Sequence, residues 1–524
     1  MSPNAWLAAL VALPLAGTLA LWTTSKGSAK LHHGIAFTAS LLNLCIALFL
    51  WLAYPLKPVI SLGEGMMGLS LRQTWFHLGS VPVHIHLGLD GFNLPLILLT
   101  TFLSVIGILG TWNLERSYTR GYFSGLLLLQ AGLLGLFLSL DLMLFFFFWE
   151  SLLLPTFFLL GRWGGRYRAR PLIKSLLIPW SGSLFLLFAI LFLGVQFNTF
   201  SLPKLYQESL VPGYQYLLFA SFGLAFAIRT PLFPLHTWMA DAHTESPTAA
   251  SMLLTGVTLS VGVYGFLRIG LPLFPHAWSK LQQPIMVVAV FGVVYGVFLA
   301  LVQVDLKKQI AYASISHLGV IVLGAFSLNI QGLQGSLLHL VSHGVAVGGL
   351  FLVIGFLEQR RHTRTLSEYG GLAQVTPRMS LFTLLFLLSL IGIPGLSGFV
   401  GEFLIVLGMF GTNKVYATLA LLSLLGLSIV LIWTYRRYFL GGLTRAENYH
   451  MKDIGRRETL TLMACALVLL GLGLFPSLLL KTTTHASQSL IRHVQERAPR
   501  KPFVQKSSSQ KQIASQVEPT RRFR

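Results

Sequence analysis

Two charged residues lie beside prolines inside long apolar segments, and both are of types that can hold or move a proton. Arg229 occurs in LAFAIRTPLFPLHTW, two residues before Pro231, and Glu402 follows Pro394 in IGIPGLSGFVGEF. An ionisable side chain at membrane depth costs roughly 2.5–3.5 kcal/mol on insertion scales, which makes it a functional-site candidate. A proline interrupts the helix and frees backbone carbonyls for ions or water. The two segments therefore predict an ion path built on two broken membrane helices.

A further acidic residue lies in strongly apolar surroundings. Glu150 follows four phenylalanines and a tryptophan in FFFFWESLLLP, where a carboxylate must be paired, protonated or beside water. One interpretation is a buried ion pair that only holds helices together. The other is a charge that modulates proton uptake. We expect Glu150 to form an ion pair with Arg229, because each is otherwise an uncompensated buried charge.

Three histidines occur on two consecutive apolar segments: His317 in YASISHLG, and His339 and His343 in LLHLVSHG. The spacing of four puts His339 and His343 on one helix face. Histidine suits a proton relay because its ordinary pKa lies near neutrality. A lone buried histidine is more often structural, but three of them with serines in the same motifs predict a hydrogen-bonded relay. We expect His317, His343 and Glu402 to line a continuous hydrated track.

The loop after the first broken helix concentrates titratable side chains. The segment HTWMADAHTESPTAAS holds four within ten residues: His236, Asp241, His243 and Glu245. This density predicts a site of proton uptake. The alternative is a solvated loop in which Ser246 or Thr248 caps the next helix. Three lysines near the ends of apolar segments, Lys174, Lys307 and Lys308, are either topological anchors or part of the same uptake region.

Composition places the chain in a membrane. Hydrophobic residues make up 54% and charged residues 10% of the 524 residues, whereas a soluble globular chain carries about 25% charged residues. The expected fold is an all-α polytopic membrane protein with about 14 transmembrane helices, since a span needs about 20 apolar residues. The candidate spans are 4–22, 34–54, 89–111, 121–139, 142–161, 174–196, 214–233, 248–270, 284–303, 309–328, 334–357, 380–410 (broken), 415–435 and 459–480.

The net charge of +21 is typical of nucleic-acid-binding proteins, but its distribution argues against that class. Lysine and arginine concentrate in alternate loops, including residues 162–174, 360–378 and 436–457. This positive-inside asymmetry predicts an N-terminus on the outer or lumenal side, with lipid and no nucleic acid as partner. The basic tail after Lys481 breaks the rule. Either it docks on a partner or the span count is off by one.

No motif for a cofactor is evident. Cys45 and Cys465 fall in apolar spans, and the sequence has neither a CxxC nor a glycine-rich phosphate loop. A metal site built on His339 and His343 lacks a carboxylate or cysteine nearby in sequence. We therefore expect no metal, nucleotide or flavin site in this chain, and expect any redox chemistry to occur in a partner.

Two spacings indicate an internal repeat. Asp141-Leu142 and Asp305-Leu306 lie 164 residues apart, and Pro231 and Pro394 lie 163 apart. An odd number of spans separates each pair, which predicts two inverted five-helix repeats with broken helices 7 and 12, as in secondary transporters.

The expected organisation has five parts. They are residues 1–111 (N-terminal helices and lumenal loop), 112–270 (first antiporter-like repeat), 271–440 (second antiporter-like repeat), 441–484 (last helix) and 485–524 (basic tail). Alternating residues within 55–88 predict a β-hairpin, and 485–497 an amphipathic surface helix. The polar sequence from 498 onward indicates an extended or disordered tail.

Several long motifs resemble one family, the proton-antiporter-like membrane subunits of respiratory and photosynthetic complex I. The motifs are FPLHTWMADAHTESPTAASMLL, YGFLRIGLPLFP, DLKKQIAYASISHLG, SHGVAVGGLF and PGLSGFVGEF, and the resemblance covers roughly residues 85–440. The glutamate of the GEF motif and the modest length of the chain resemble those of the NuoM/NdhD type. The same family includes subunits of multi-subunit cation/proton antiporters.

The resemblance implies roles for individual residues. The family's helix-five glutamate matches Glu150, its helix-seven lysine matches Arg229, and its central and exit residues match His317, His343 and Glu402. It implies that the Glu–Lys pair opens and closes while a proton crosses a hydrated polar axis, driven by remote quinone reduction. Secondary candidates for proton transfer are Lys174, His236, His243, Ser260, Lys308 and His339.

Two departures from the family pattern stand out. Arg229 and Ser260 both occupy positions where relatives usually have lysine. A desolvated lysine can lose its proton, whereas arginine cannot, so Arg229 is expected to act as a fixed charge. Ser260 can relay only through hydrogen bonds or water. The resemblance therefore implies a modified pump.

The divergent sequence also resembles the cyanobacterial variant in carbon-dioxide-uptake complexes, fed by ferredoxin and reducing plastoquinone in a thylakoid membrane; a bacterial inner membrane is the other location. The expected partners are NuoL/NdhF-type and NuoN/NdhB-type membrane-arm subunits. The alternatives are a subunit of a sodium/proton antiporter and a structural spacer that carries no protons.

Overall fold

The structure is a computed structural model that describes residues 3–25, 28–53, 69–112 and 119–499. Residues 54–68 of the predicted outer loop and residues 500–524 of the predicted tail lie outside these ranges.

The described residues are mostly helical, as the apolar composition predicts. The α-helices are α1 (Pro3–Thr23), α2 (Ala29–Ala53), α3 (Leu94–Gly110), α4 (Thr119–Leu138), α5 (Leu142–Ser151), α6 (Leu153–Trp163), α7 (Ala169–Phe197), α8 (Leu202–Leu205), α9 (Pro212–Arg229), α10 (Met239–Glu245), α11 (Thr248–Leu253), α12 (Ser260–Gly265), α13 (Leu271–Leu273), α14 (Pro275–Leu301), α15 (Leu306–Phe326), α16 (Ile330–Arg361), α17 (Pro377–Ile391), α18 (Ser397–Thr412), α19 (Lys414–Phe439), α20 (Arg456–Leu474) and α21 (Ser477–Arg497). Short 3₁₀ turns occur at Leu366–Glu368, Leu372–Gln374 and Ala446–Asn448.

Many of these helices are long and apolar enough to cross a membrane. Within the described ranges there are 11 such helices, together with three shorter apolar ones, α3, α17 and α18. The chain is therefore an integral membrane protein of the expected all-α class. The predicted span 142–161 is two helices, α5 and α6, interrupted at Leu152. The last predicted span ends at Leu474 rather than at residue 480.

The only strands of the described ranges form the predicted hairpin. Strand β1 (Ser70–Leu78) pairs antiparallel with β2 (Val81–Gly88). The hairpin is attached to the helices next to the start of α5, where the Leu140 N–H donates to the His86 carbonyl at 2.8 Å.

Both predicted helix breaks are present. Helix α9 ends at Arg229, and residues 230–238 run without helical structure before α10. The second break separates α17 from α18, with Gly392 at φ +76° and Gly395 at φ +95°. Both values are left-handed and favour glycine, which has no Cβ to clash. Proline and glycine therefore set the breaks in the two segments identified from sequence.

The same local structure occurs twice, 164 residues apart. Asp141 caps α5 and Asp305 caps α15, each with its carboxylate accepting backbone N–H groups. Asp141 forms an isolated β-bridge with Ser201, and Asp305 forms one with Thr365. The helices that precede these two bridge partners, α7 and α16, both end in a left-handed residue, Asn198 at φ +53° and His362 at φ +54°.

The two copies lie at opposite ends of the helix bundle. Asp141 lies beside the hairpin at the start of α5. Beyond the end of α6, the Gly165 N–H donates to the Glu245 carbonyl at 2.8 Å. The Glu245 carboxylate pairs with Arg364, which also pairs with Asp305. The α5–α6 segment thus runs from one Asp site towards the other, as the two inverted repeats predicted from the sequence would require. The five-helix repeats themselves stay a prediction.

Three segments form the buried centre: α15, α16 and the helical segment 248–273. In 248–273 the α-helical hydrogen bonds are interrupted by two π-helical turns, Leu254–Thr258 and Phe266–Gly270. The Leu259 N–H donates to the Leu254 carbonyl, five residues back, at 3.3 Å. The sequence pattern predicts an uninterrupted span here. Single π turns inside α-helices are frequent at functional sites.

Helix α21 corresponds to the predicted amphipathic helix, but it begins at Ser477 rather than at residue 485. Its apolar residues Leu479, Leu490 and Val494 are buried. At its end, the Arg497 guanidinium donates to the Glu208 carbonyl at 2.8 Å.

Candidate functional site

The helices around the second break bring three histidines and one carboxylate together. His317 comes from α15, His339 and His343 from one face of α16, and Glu402 from the second turn of α18. His317 Nδ1 and His339 Nε2 are 3.2 Å apart. Glu402 Oε1 lies 3.6 Å from His317 Nδ1 and 3.8 Å from His339 Nε2. The His343 ring centroid is 5.4 Å from that of His317. All four side chains are buried.

Two glycines make this close packing feasible. A Cβ at Gly401 would lie 2.7 Å from the His339 Cβ, so α18 can approach α16 only with glycine there. Gly392 lies directly against Glu402 Oε2, where a Cβ would displace the carboxylate. The segment IGIPGLSGFVGEF therefore supplies the helix break, the space for its own glutamate at Gly392 and the space for His339 at Gly401.

Several polar atoms of this cluster have no hydrogen-bond partner within the described part of the chain: Glu402 Oε1, His317 Nε2, His339 Nδ1 and His343 Nε2. Buried polar atoms are normally paired, and each exception calls for water, an ion or a functional reason. His317, His339 and Glu402 each offer one ligand atom, all within 4.8 Å of one another. No carboxylate or cysteine lies near His339 and His343 in sequence, but the packing of α18 brings Glu402 to His339 and His317.

The predicted serine–histidine relay is not formed. Ser314 Oγ donates to the Ile310 carbonyl at 2.9 Å, and Ser316 Oγ donates to the Val293 carbonyl at 2.9 Å. Ser342 Oγ bonds Ser397 Oγ at 2.8 Å. Hydroxyls on helices readily bond nearby backbone carbonyls. The histidines therefore contact one another and Glu402 instead of the serines.

Arg229 does not form the predicted contact ion pair with Glu150. The buried guanidinium donates from Nη2 to the Trp149 carbonyl at 3.1 Å and lies 5.1 Å from the centre of the Trp149 ring. Glu150 attracts it electrostatically from a greater distance, and Glu150 Oε1 is buried without a hydrogen-bond partner among the described residues. The adjacent carbonyl and aromatic face compete with Glu150 for the guanidinium, although Arg229 Nε is buried without a hydrogen-bond partner among the described residues.

The secondary candidates near the first break are buried, and their hydrogen bonds and ring contacts are with residues outside the histidine cluster. Ser260 lies between the two π turns and donates to the Val257 carbonyl at 2.6 Å. His243 Nδ1 bonds Thr255 Oγ1 at 2.7 Å. His236 packs on Phe233, with ring centroids 5.9 Å apart.

Three of the four titratable residues predicted in a loop after the first break, Asp241, His243 and Glu245, lie on helix α10, and this region forms ion pairs rather than a helix cap. Asp241 lies between two lysines, with Oδ2 3.4 Å from Lys174 Nζ and Oδ1 3.1 Å from Lys308 Nζ. The next helix is capped by Pro247 without a side-chain hydrogen bond, so the capping alternative is wrong. All three partners are about one-third to one-half exposed, as a region of proton uptake requires.

Arg364, which the sequence reasoning did not select, joins three carboxylates at the same end of the bundle. Its guanidinium lies 3.2 Å from Glu245, 3.2 Å from Asp305 and 3.6 Å from Glu358. Burial lowers the pKa of Arg364, but Asp305, Glu358 and Glu245 outweigh burial, so the net shift is upward. Arg364 remains charged and holds loops from both halves of the chain together.

Lys307 is not a solvated anchor. It is buried, with Nζ 3.0 Å from Glu358 Oε2 and 3.4 Å from the Ser246 carbonyl. In DLKKQIAY the first lysine therefore faces the protein, while Lys308 faces Asp241.

A second omission is a fully buried ion pair. Arg268 donates from Nη1 and Nη2 to the two Asp90 oxygens at 2.8 and 2.6 Å. The criterion that selected Arg229, an ionisable side chain in an apolar span, applies equally to Arg268 in YGFLRIG. The signal was present in the sequence.

Comparisons with known proteins agree with this architecture. Residues 139–428 match the model of the family described as NADH:quinone oxidoreductase/Mrp antiporter, transmembrane. The chain is 34% identical over 488 residues to NADH-ubiquinone oxidoreductase chain 4 of Marchantia polymorpha, covering 93% of this chain and 97% of the relative. It is 35% identical over 422 residues to NADH-quinone oxidoreductase subunit M of Rickettsia prowazekii, covering 80% and 86%.

A solved structure is similar over almost the whole chain. A chain of respiratory complex I from Thermus thermophilus with bound NADH superposes with a TM-score of 0.84 at 30% identity, covering 93% of this chain and 99% of that one. The family match spans both broken helices, the histidine cluster and the Arg364 network. On these sequence and structural matches, the chain belongs to the NADH:quinone oxidoreductase/Mrp antiporter transmembrane family.

Proposed function

We propose that this chain is an antiporter-like membrane-arm subunit of a NADH:quinone oxidoreductase, of the subunit M or chain 4 type, and that it carries protons through buried ionisable side chains. The observation that carries the proposal is the cluster of His317, His339 and Glu402 at the second helix break. These groups can each bind a proton, and their nearest atoms lie 3.2–3.8 Å apart.

The cluster has the properties of a central transfer point. A proton on one imidazole or on the carboxylate has neighbouring acceptors within a small displacement, and His343 extends the group along α16. Broken helices admit water at membrane depth where an intact helix does not. The hydrated track that we infer would run past Gly392 and Glu402.

Proton uptake is proposed at the opposite half of the path, where Asp241 lies between Lys174 and Lys308. His236, His243 and Ser260 would lead inwards with water between them. Glu150 and Arg229 would act on this path through charge alone, because Arg229 stays protonated and the two side chains do not touch. The pair that opens and closes in the family would here interact at long range, without contact between Glu150 and Arg229.

The proposed membrane-arm neighbours are subunits of the NuoL/NdhF and NuoN/NdhB types. Quinone and iron–sulfur centres are proposed for other partner subunits of the complex. The finer prediction of a carbon-dioxide-uptake form, with plastoquinone in a thylakoid membrane, would be tested by the subunit composition of the purified complex and by membrane fractionation. Antiporter subunits in that preparation, with sodium-dependent proton movement, would support the sodium/proton antiporter instead.

The direct test is Glu402→Gln in the complex reconstituted into vesicles. We expect protons moved per quinone reduced to fall, while quinone reduction with an uncoupler persists, because a glutamine side chain cannot accept a proton. The matched control is Glu447→Gln, which changes a carboxylate that is 64% exposed in a loop. An unchanged proton-to-quinone ratio in Glu402→Gln would refute the proposed path.

A further inference from the structure

Three potential ligand atoms in the buried cluster lie close to one another and come from three different helices. His317 Nδ1, His339 Nε2 and Glu402 Oε1 are separated by 3.2, 3.6 and 3.8 Å. Only the histidine pair is within hydrogen-bond distance, and Glu402 Oε1 has no hydrogen-bond partner in the described residues. When both facing nitrogens are deprotonated, the space between the three atoms is lined by lone pairs that a cation would satisfy.

The separations fit a metal ion. A triangle of this size has a point about 2 Å from all three atoms, and zinc binds histidine nitrogen and carboxylate oxygen at about 2.0–2.2 Å. Two imidazoles and one carboxylate suit first-row transition ions, whereas magnesium and calcium need about six or more oxygen ligands. We propose that His317, His339 and Glu402 form a binding site for a divalent transition ion of the Zn²⁺ class.

The same geometry indicates reversible binding. A metal-bound histidine usually donates its other ring nitrogen to a protein acceptor, and loss of that partner lowers affinity by about 10–100-fold. His317 Nε2 and His339 Nδ1 have no such partner within the described ranges. We therefore expect an exchangeable ion with at least one coordination position left for water. His343 is close enough to contact that water, with its ring centroid 5.4 Å from that of His317.

His339 is the residue on which the proposal depends. The family resemblance assigns central roles to His317, His343 and Glu402, but the nitrogen nearest to both His317 and Glu402 comes from His339. An ion held there would occupy atoms that the proposed proton relay uses. The metal site is inferred from the geometry of the cluster alone. Only its overlap with the proton relay rests on the proposed function.

The test measures metal content rather than activity. The purified complex is stripped with a chelator, incubated with Zn²⁺ and desalted, and bound zinc per complex is counted. We expect His339→Gln to bind one zinc fewer than wild type. The control His32→Gln, which changes a buried histidine on α2 that bonds Thr119, should bind as much as wild type. Equal zinc in all three complexes would overturn the proposal.

A second variant decides the question if His339→Gln fails to assemble. His339→Cys replaces one metal ligand by another, so the zinc should stay bound and its X-ray absorption spectrum should gain a sulfur neighbour at about 2.3 Å. Zinc without this additional Zn–S distance would overturn the site. Neither failure affects the proton-transfer proposal, because the lower proton-to-quinone ratio expected for Glu402→Gln does not depend on a bound metal.

Discussion

The buried pair of Arg268 and Asp90 provides the sharpest test of the packing described above. Arg268→Met removes the guanidinium while keeping a long apolar side chain in a space that is fully buried. The charge of Asp90 is then left without its cation, although its Oδ1 still accepts the N–H groups of Phe92 and Asn93 at 3.0 and 3.2 Å.

The expected cost follows from these contacts. Breaking a buried ion pair by removing one partner typically costs about 3–5 kcal/mol. Because Asp90 keeps two backbone donors, we expect Arg268→Met to lower the free energy of unfolding by about 3 kcal/mol. Asp90→Asn keeps an acceptor for the same donors but leaves Arg268 uncompensated, so we expect a similar loss. The double variant contains neither charge and should lose about 1–2 kcal/mol, which corresponds to a coupling energy of about 4–5 kcal/mol.

The assay is pulse proteolysis of this chain in the detergent-solubilised complex, across a denaturant series. Arg445→Met serves as the control, because Arg445 is about half exposed and pairs with Glu368 at 3.5 Å. An exposed pair contributes about 0–1 kcal/mol. If the double variant loses as much as the sum of the two single variants, Arg268 and Asp90 do not act as a pair and the reasoning fails.

Three further predictions concern the site. In the same assay, Glu358→Gln should destabilise the chain by about 2 kcal/mol more than Lys307→Met. The first change leaves the buried Lys307 charged without its carboxylate, whereas after the second Glu358 is one-third exposed and still pairs with Arg364. Equal effects of the two variants would contradict this. Gly392→Ala should reduce proton translocation more than Gly395→Ala, since both have positive φ but only Gly392 lies against Glu402; equal losses in reconstituted vesicles would show that backbone strain alone is responsible. Arg229→Lys should change the pH profile of proton uptake, and Arg229→Lys with Ser260→Lys should change it further, because a desolvated lysine can release a proton; identical profiles in wild type and both variants would favour the spacer.

The helix breaks and the histidine cluster were predictable because their signals are local. Proline and glycine in IGIPGLSGFVGEF and the i, i+4 spacing of His339 and His343 act within one or two turns of helix. The approach of Glu402 to His339 was not predictable, since it depends on how α18 packs against α16 through Gly401. The Arg229–Glu150 contact was predicted from charge alone. It failed because a backbone carbonyl and an aromatic ring, which have no net charge, compete for a guanidinium.

The ion pairs between residues far apart in the sequence could not be predicted either, because they also depend on how the helices pack. Arg364 follows α16 and looks like one basic residue among several in a loop, yet it joins Glu245 at the end of α10 and Asp305 at the start of α15. Lys307 and Lys308 are adjacent in sequence, and only the direction of each side chain separates a buried ion pair from a half-exposed one. The positive-inside pattern explains why these residues share one end of the bundle, but it does not specify their partners.

The two π turns in residues 248–273 have a consequence for helical phase. A π turn accommodates one residue more than an α turn, and one residue corresponds to a rotation of about 100° around an α-helix. Ser260 follows the first π turn, and Leu271 follows the second. Ser260 therefore points about 100°, and Leu271 about 200°, away from the direction that uninterrupted 3.6-residue periodicity would give it. Deleting one residue within Leu254–Thr258 would allow a regular helix and leave Ser260 and Arg268 facing the same neighbours, whereas converting the π turn to an α turn without a deletion would rotate both by about 100°. The angular position of this segment therefore depends on residue number as much as on residue type.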